Sequence, residues 1–298
     1  MSLTLVGKCP DCGQWGTLAE EIPLETSRRG AIVPARAVEP MASVDVKPEA
    51  RLSSGIDELD RVLGGGWISG SLVLLGGEPG VGKSTLLLQV CAAMAKAGRR
   101  ALYISGEESS GQLALRARRL GISERNIDLL CDSHLPSMLE TARTYEFVVI
   151  DSVQSFRLDD EGGWAGSPGQ IRAIASLVAS VMKKEAVPTV LVGHITKQGQ
   201  IAGPKTLEHM VDVVLLFSGE RSTANRLLRA EKNRYGSTEE LGIFEMSEKG
   251  LISVPDPSHL YWNSGDDSVS GVASGVSLEG TRPRSEEHTS ELQSLGRI

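Results

Sequence analysis

One short segment combines glycines, a lysine and a serine at a spacing that suits phosphate chemistry. Residues 77–84 read Gly-Glu-Pro-Gly-Val-Gly-Lys-Ser and fit the pattern G-x-x-x-x-G-K-[ST] between a predicted strand and a predicted helix. Here backbone N–H groups would surround the phosphates of ATP, the lysine would neutralise them and the serine would bind Mg²⁺. The alternative is a glycine-rich turn with an exposed lysine. The predicted nucleotide-binding residues of this segment are Gly77, Glu78, Pro79, Gly80, Val81, Gly82, Lys83, Ser84 and Thr85.

Acidic and imidazole side chains follow three other predicted strands. Asp151 comes directly after the apolar run Phe147–Ile150, where a P-loop protein needs a carboxylate to organise Mg²⁺, although such an aspartate is often a helix cap. Glu107 is the predicted group that orients the attacking water, with Glu108 second and ordinary surface carboxylates as the alternative. His194 ends a further strand, where it would contact the γ-phosphate or cap a loop.

Two later segments carry positive charge. The stretch Thr196–Lys205 is polar and has two lysines without an acid, so Lys197 and Lys205 are predicted to contact single-stranded nucleic acid, with solvated loop lysines as the alternative. Farther on, Lys232 and Arg234 end a predicted strand. This pair is a candidate arginine finger, which would reach the nucleotide of a neighbouring subunit.

A cysteine pair near the N-terminus has half the ligands of a zinc site. The turn Cys9-Pro-Asp-Cys12-Gly would aim two thiolates at one point, whereas a closed tetrahedral site needs four ligands. The other cysteines, Cys91 and Cys131, have no Cys or His neighbour at ligand spacing. The zinc site is therefore predicted to be incomplete, and two free thiols are the alternative to bound zinc.

Composition excludes several classes of protein. The 298 residues carry 31 Lys and Arg against 38 Asp and Glu, a formal net charge of −7, so nucleic acid would have to meet a local basic patch. No apolar stretch approaches the roughly 20 residues of a membrane span. Four cysteines without a secretory leader argue against a disulfide framework. We therefore expect a cytoplasmic protein that neither spans a membrane nor coats DNA as a histone does.

Hydrophobic periodicity alternates between strands and helices from Ser71 onward. Short apolar runs separated by amphipathic stretches predict an α/β fold with a mainly parallel twisted sheet. Beyond these units, closely spaced strands predict antiparallel pairing at one edge. The expected strands are Ser71–Leu75, Ala101–Ser105, Ile127–Leu130, Phe147–Ile150, Thr189–Val192, Val211–Phe217, Arg226–Lys232 and Gly242–Met246, and the expected helices are Lys83–Lys96, Ser110–Leu120, Leu135–Thr144 and Pro168–Glu185, the last with Ser167 as N-cap.

Several of these segments resemble the bacterial RadA (Sms) family, RecA-superfamily ATPases of recombinational repair. The resemblance implies a RecA-like P-loop NTPase core, a homo-hexameric ring with ATP sites between subunits, and branch migration driven along single-stranded and branched DNA. It also implies a RecA-type recombinase as a partner. The segments that carry it are Leu52–Gly66, the loop at 77–84, Tyr103–Ser109, Val192–Pro204, Leu207–Asp212 and Lys232-Asn-Arg-Tyr-Gly236, which resembles a Lys-Asn-Arg-Phe-Gly signature.

The chain departs from that family at both ends. The family carries a four-cysteine zinc ribbon, of which only the second pair is present, and a Lon-protease-like domain without protease activity, of which only a strand around Ser268–Pro283 is present. Residues Arg284–Ser294 resemble a translated sequencing adapter, with a polar tail as the alternative. The expected organisation is a partial zinc-ribbon remnant at 1–21, a linker at 22–50, a RecA-like ATPase domain at 51–255, a linker and truncated Lon-like strand at 256–283 and a non-native tail at 284–298.

Three functions are compatible with these residues. The leading hypothesis is a DNA-dependent ATPase motor of DNA repair. The second is a KaiC-like P-loop ATPase in which ATP switches protein contacts without DNA. The third is a truncated chain that binds nucleotide and does not assemble.

Overall fold

The computed structural model describes residues 51–132, 134–194, 206–219 and 224–255, together with backbone strands at 272–279 and 282–289. The helices in these ranges are α1 (Asp57–Leu63), α2 (Lys83–Lys96), α3 (Ser110–Arg119), α4 (Leu135–Ala142), α5 (Pro168–Lys184) and α6 (Thr206–Met210). The strands are β1 (Leu72–Gly77), β2 (Ala101–Ser105), β3 (Ile127–Cys131), β4 (Phe147–Asp151), β5 (Thr189–His194), β6 (Val213–Ser218), β7 (Asn225–Asn233), β8 (Leu241–Ser247), β9 (Gly250–Ser253), β10 (Val272–Glu279) and β11 (Arg282–Thr289).

Nine of these strands form one sheet in the order β3-β2-β4-β5-β1-β6-β7-β8-β9. The strands from β3 to β6 in this order pair in parallel, and the pairs β6–β7, β7–β8 and β8–β9 are antiparallel. This confirms the predicted α/β class, with a mainly parallel sheet and antiparallel edge strands. Because β1, β2, β4 and β5 run in the same direction, their carboxyl ends meet at one edge of the sheet, which is where parallel sheets bind ligands.

The central strands are buried on both faces. In β4, Phe147 and Val149 belong to a core cluster that includes residues of α2, whereas Val148 and Ile150 belong to a second cluster that includes residues of α5. Successive side chains of a strand point to opposite faces, so a strand covered on both sides is a continuous apolar run. This packing fixes the position of Asp151, the last residue of β4.

Local sequence signals set the helix starts near that edge. The α3 helix begins with a capping box, in which the Ser109 side chain accepts from the Gln112 N–H and the Gln112 side chain accepts from the Ser109 N–H. The α5 helix begins as predicted, with Ser167 at the N-cap position and Pro168 at the first helical position, where its missing N–H leaves no hydrogen bond unmade.

A separate hairpin joins β10 to β11 in antiparallel register, from Val272 opposite Thr289 to Glu279 opposite Arg282. It includes residues 284–289 of the expected non-native tail, for which the sequence pattern predicts no packing element. Periodicity does not reveal this strand because a two-stranded ladder is joined by backbone hydrogen bonds, which form without an apolar repeat. The non-native origin of the tail stays a prediction.

Candidate nucleotide-binding site

The phosphate-binding loop connects β1 to α2 as predicted from its glycines. Gly82 has a φ of +116°, and a Cβ at Gly77 would lie 2.5 Å from the carbonyl oxygen of Phe217, so neither position accommodates a side chain without strain. The Lys83 Nζ lies inside the loop and donates to the carbonyl oxygens of Gly77 (2.7 Å) and Glu78 (3.0 Å). Burial lowers the pKa of Lys83, and the nearby charges of Asp151 and Glu107 oppose that shift.

The predicted magnesium residues are in direct contact. Asp151 Oδ2 accepts hydrogen bonds from Ser84 Oγ (2.8 Å) and from the phenol of Tyr103 (2.5 Å). Burial raises the pKa of Tyr103 well above its ordinary value, and the charge of Asp151 raises it further, so the phenol remains a donor. Ser84 and Asp151 therefore bring a hydroxyl and a carboxylate oxygen to the loop.

Glu107 lies at the point where β2, β4 and β5 end. Its Oε1 accepts from the Ser152 hydroxyl and lies 3.3 Å from His194 Nε2. The neighbouring Glu108 forms an ion pair with Arg116 of α3, at 2.7 Å. Of the two glutamates, Glu107 is the one that joins the residues at the ends of β4 and β5.

These side chains line a pocket of about 470 Å³ above the loop. The sequence predictions did not include the basic residues of α3 and β7 that also line it, because nothing in their spacing relates them to the loop. Arg226 is fixed by a hydrogen bond from its Nε to the Val81 carbonyl oxygen (3.1 Å). The pocket is lined by the predicted residues Pro79, Gly80, Gly82, Lys83, Ser84, Thr85, Glu107, Glu108, Asp151 and His194, and by Ser105, Arg116, Arg119, Arg226 and Met246.

The donor set of this pocket fits a nucleotide and Mg²⁺. Mg²⁺ prefers oxygen ligands and is usually held by few protein groups together with substrate phosphates. Ser84 and Asp151 are such groups, and Lys83 at the start of α2 adds a cation where a helix N-terminus already favours phosphate. The residues present are therefore those that ATP with Mg²⁺ requires.

The candidate finger residues Lys232 and Arg234 lie at the other ends of the parallel strands, near the starts of β1 and β6. Asp212 precedes β6, and one of its oxygens accepts from Lys183 Nζ (2.8 Å) and from Arg234 (2.9 Å). The other oxygen accepts from the Leu72 N–H (3.0 Å), at the start of β1. Lys232 Nζ donates to the carbonyl oxygens of Glu208 (2.6 Å) and Val211 (2.8 Å). Leu72 begins β1, the strand that ends at the loop. Lys232 and Arg234 are therefore separated from the loop of their own chain by the length of that strand.

Four predicted site residues, Cys9, Cys12, Lys197 and Lys205, lie outside the described residues, so the zinc and DNA-contact predictions stay predictions. In the described part of the chain, no group of three or more Cys, His, Asp or Glu side chains is arranged to hold a metal ion. Burial raises the pKa of Cys91 to about 12, so this thiol is a poor metal ligand. The described helices include none with the length and apolar character of a membrane span.

Comparisons with known proteins agree with this geometry. A family model described as "AAA domain" matches residues 35–200, more than half of the chain. The chain is 44% identical over 290 residues to the DNA repair protein RadA of Mycobacterium tuberculosis (strain ATCC 25618 / H37Rv), which covers 95% of the chain and 60% of that protein. It is 43% identical over 286 residues to RadA of Bacillus subtilis (strain 168), which covers 93% of the chain and 62% of that protein. The chain thus spans about three fifths of the length of these relatives.

A solved structure shares the fold. A KaiC-like protein from Pyrococcus horikoshii OT3 superposes with a TM-score of 0.59 and 22% sequence identity, covering 70% of this chain and 100% of that one. The family match, the similarity to RadA and the geometry of the loop agree: the chain belongs to the AAA domain family of P-loop ATPases, and the similarity to RadA expected from its motifs is confirmed.

Proposed function

We propose that the chain is a magnesium-dependent ATP hydrolase of DNA repair. The observation that carries the proposal is the position of Glu107, which lies beside the phosphate-binding loop and is held by Ser152 and His194. A carboxylate fixed there can orient water for attack on the γ-phosphoryl group of ATP. Its neighbour Glu108 is engaged by Arg116 and is less suited to this role.

The remaining residues of the pocket have separate roles in binding ATP. Lys83 and the N–H groups of the loop would hold the β and γ phosphates, and Ser84 and Asp151 would hold Mg²⁺. When bound, Mg²⁺ supplies neutralisation of the charge on the phosphates. His194, at the end of β5, lines the pocket and lies 3.3 Å from the Glu107 carboxylate, so it would contact the γ-phosphate of a bound nucleotide and link the state of that nucleotide to the segment that follows His194.

We base the proposed DNA function on the similarity to RadA, which is named a DNA repair protein. In this proposal the chain acts in the cytoplasm, moves on single-stranded DNA and drives branch migration of recombination intermediates in company with a RecA-type recombinase. The net charge of −7 requires a local basic contact, and Lys197 and Lys205 are the proposed contacts. The AAA domain match covers the first of these lysines.

We further propose a homo-hexameric ring in which Lys232 and Arg234 act on the ATP of the neighbouring subunit. The side chain of Arg234 is 51% exposed, so a second copy of the chain can reach it. It lies at the edge of the sheet opposite its own loop and cannot serve that loop. Mixing Arg234→Ala subunits with Lys83→Ala subunits should restore turnover that each variant lacks alone, because mixed interfaces combine an intact loop with an intact finger. If every mixture stays inactive although native mass measurement shows mixed rings, the finger does not act between subunits.

The central test compares two adjacent glutamates. Glu107→Gln should lower ATP turnover by about 100-fold or more, in the range expected for loss of a general base, while binding of a fluorescent ATP analogue stays unchanged. Glu108→Gln is the matched control and should keep most of the turnover. If Glu108→Gln is the inactive variant, the assignment of the water-orienting group is wrong.

Adding single-stranded DNA to the same assay separates the two classes of function. Turnover that rises with single-stranded DNA supports the repair motor. Turnover that is indifferent to DNA would instead favour a KaiC-like ATPase that switches protein contacts.

A further inference from the structure

A buried tyrosine reaches the nucleotide site from inside the sheet. Tyr103 is the central residue of β2, opposite Val149 of β4 and Leu129 of β3, and its side chain is fully buried in the core cluster packed against α2. Its neighbours along β2 are apolar. A phenol oxygen in such surroundings needs a hydrogen-bond partner, because an unsatisfied buried hydroxyl destabilises the fold.

The partner of that phenol is the carboxylate that the proposed function assigns to Mg²⁺. Tyr103 donates to Asp151 Oδ2 at 2.5 Å, and the same oxygen accepts from Ser84 Oγ at 2.8 Å. Within the described residues, no lysine, arginine or histidine forms an ion pair with Asp151. The orientation of this carboxylate is therefore set by two hydroxyl donors.

The two donors differ in what they can do. Ser84 lines the pocket, so its oxygen is available to a bound ion and can exchange partners. Tyr103 is in the core and does not line the pocket, so its hydrogen bond to Asp151 is kept whichever partner Ser84 takes. Carboxylates near a metal depend on such outer partners, whose loss commonly costs 10–100-fold in metal affinity or activity.

We propose that Tyr103 is a positioning residue, whose buried phenol holds the Asp151 carboxylate in the orientation that receives Mg²⁺ together with the nucleotide. This inference rests on the proposed ATP-binding function and extends it to a residue inside the sheet. Packing alone would be served equally well by phenylalanine, so Tyr103→Phe isolates the hydroxyl.

The chain offers a matched control for this substitution. The phenol of Tyr145 also donates to an aspartate, Asp128, at 2.8 Å, but this pair lies at the start of β3 and β4, away from the loop. Tyr145→Phe therefore removes a tyrosine–aspartate hydrogen bond of the same kind without touching the pocket. Thermal denaturation of both variants verifies that they are folded.

The readout is binding of N-methylanthraniloyl-ADP during a titration with Mg²⁺. Tyr103→Phe should raise the half-saturating Mg²⁺ concentration about 10-fold, within the range for loss of an outer partner, and leave nucleotide binding in EDTA unchanged. Tyr145→Phe should match the wild type in both measurements. If Tyr103→Phe has the wild-type Mg²⁺ dependence, or weakens binding equally with and without Mg²⁺, the proposal is overturned.

A double-mutant cycle tests whether the tyrosine acts through Asp151. The effect of Tyr103→Phe on the Mg²⁺ requirement should disappear in an Asp151→Ala background, because the acceptor of the phenol is already gone. An effect of undiminished size there would show that Tyr103 does not act through Asp151. A wild-type chain whose nucleotide binding is indifferent to Mg²⁺ would instead contradict the proposed function itself, so the two failures are distinguishable.

Discussion

Two buried aspartates at opposite edges of the same sheet have opposite surroundings. Asp151, at the carboxyl end of β4, is 8% exposed and accepts hydrogen bonds from the hydroxyls of Tyr103 and Ser84. Asp212, before β6, is 2% exposed and accepts from two cationic side chains and a backbone N–H. The first is held by neutral hydroxyl donors beside a pocket, whereas the second is paired with cations of its own chain.

The two surroundings separate ligand binding from stability within one fold. A buried carboxylate that forms no direct ion pair, as Asp151 beside the more distant charge of Lys83, is costly, and that cost is relieved when a cation binds to it. A buried carboxylate with two cations and an N–H gains nothing from an added ion. The contrast predicts that changes at Asp151 affect magnesium and turnover, and that changes at Asp212 affect folding.

The largest expected effect is on turnover at Asp151. Asp151→Asn should lower magnesium-dependent ATP turnover by about 100-fold or more, because the amide carries no charge to organise the ion. The free energy of unfolding should change by less than about 1 kcal/mol, since the amide oxygen still accepts from the same hydroxyls. Steady-state turnover and urea denaturation measure the two quantities. A variant that keeps its turnover and loses stability would reverse the comparison.

The next effect is on stability at Asp212. Asp212→Ala should lower the free energy of unfolding by about 2–3 kcal/mol, because it leaves the buried Leu72 N–H without its side-chain acceptor. We expect no larger loss of unfolding free energy, because Lys183 and Arg234 are 39% and 51% exposed and stay partly hydrated. Urea denaturation measures it.

The control for that substitution is an exposed pair. Asp159 and Arg157 form an ion pair at 3.1 Å with both side chains more than half exposed, so Asp159→Ala should change the free energy of unfolding by at most about 1 kcal/mol. Equal losses in Asp159→Ala and Asp212→Ala would show that burial does not distinguish the two aspartates.

The smallest effect is on the acid sensitivity of folding. Burial alone would raise the pKa of Asp212, but the hydrogen bonds from Lys183 and Leu72 and the charges of Lys183 and Arg234 outweigh it and lower the pKa. A carboxyl group whose pKa is lowered in the folded state stabilises the fold above its unfolded pKa of about 3.9 and loses that contribution as pH falls through the folded value. The stability difference between wild type and Asp212→Asn should therefore be constant near neutral pH and shrink below about pH 4. A difference that grows in acid would give the wrong sign for this pairing.

The sequence predicted the parts of the site that follow from strand direction. Apolar runs ending in Asp151 and His194 predict parallel strands, and the ends of parallel strands meet at one edge. The structure accordingly brings His194 within 3.3 Å of Glu107, although many residues separate them in the chain. The loop at 77–84 could be predicted from the spacing of its own residues alone.

The rest of the site depends on contacts that no local pattern encodes. Tyr103 is indistinguishable from its apolar neighbours in β2 until its phenol is seen against Asp151. Asp212 contacts Lys183 and Arg234, which belong to two other parts of the chain. Arg226 reaches the loop at Val81 from an antiparallel strand. Three of the elements that the periodicity missed are short: α1 has seven residues, α6 five and β9 four, too few for a repeat to be visible. The eight-residue β11 was missed for another reason, because its polar sequence has no apolar repeat.

The place of β1 in the sheet has a consequence for synthesis on the ribosome. β1 is the first of the nine strands to be made, yet its two neighbours are β5, which begins at Thr189, and β6, which begins at Val213. Both long edges of β1 lack their partners until those later segments emerge, and such non-local pairing is slow to form. A nascent chain that ends before Val213 therefore contains the complete phosphate-binding motif without β6, one of the two strands that flank β1. Nucleotide binding by a growing chain would report completion of the central sheet, not the presence of the motif.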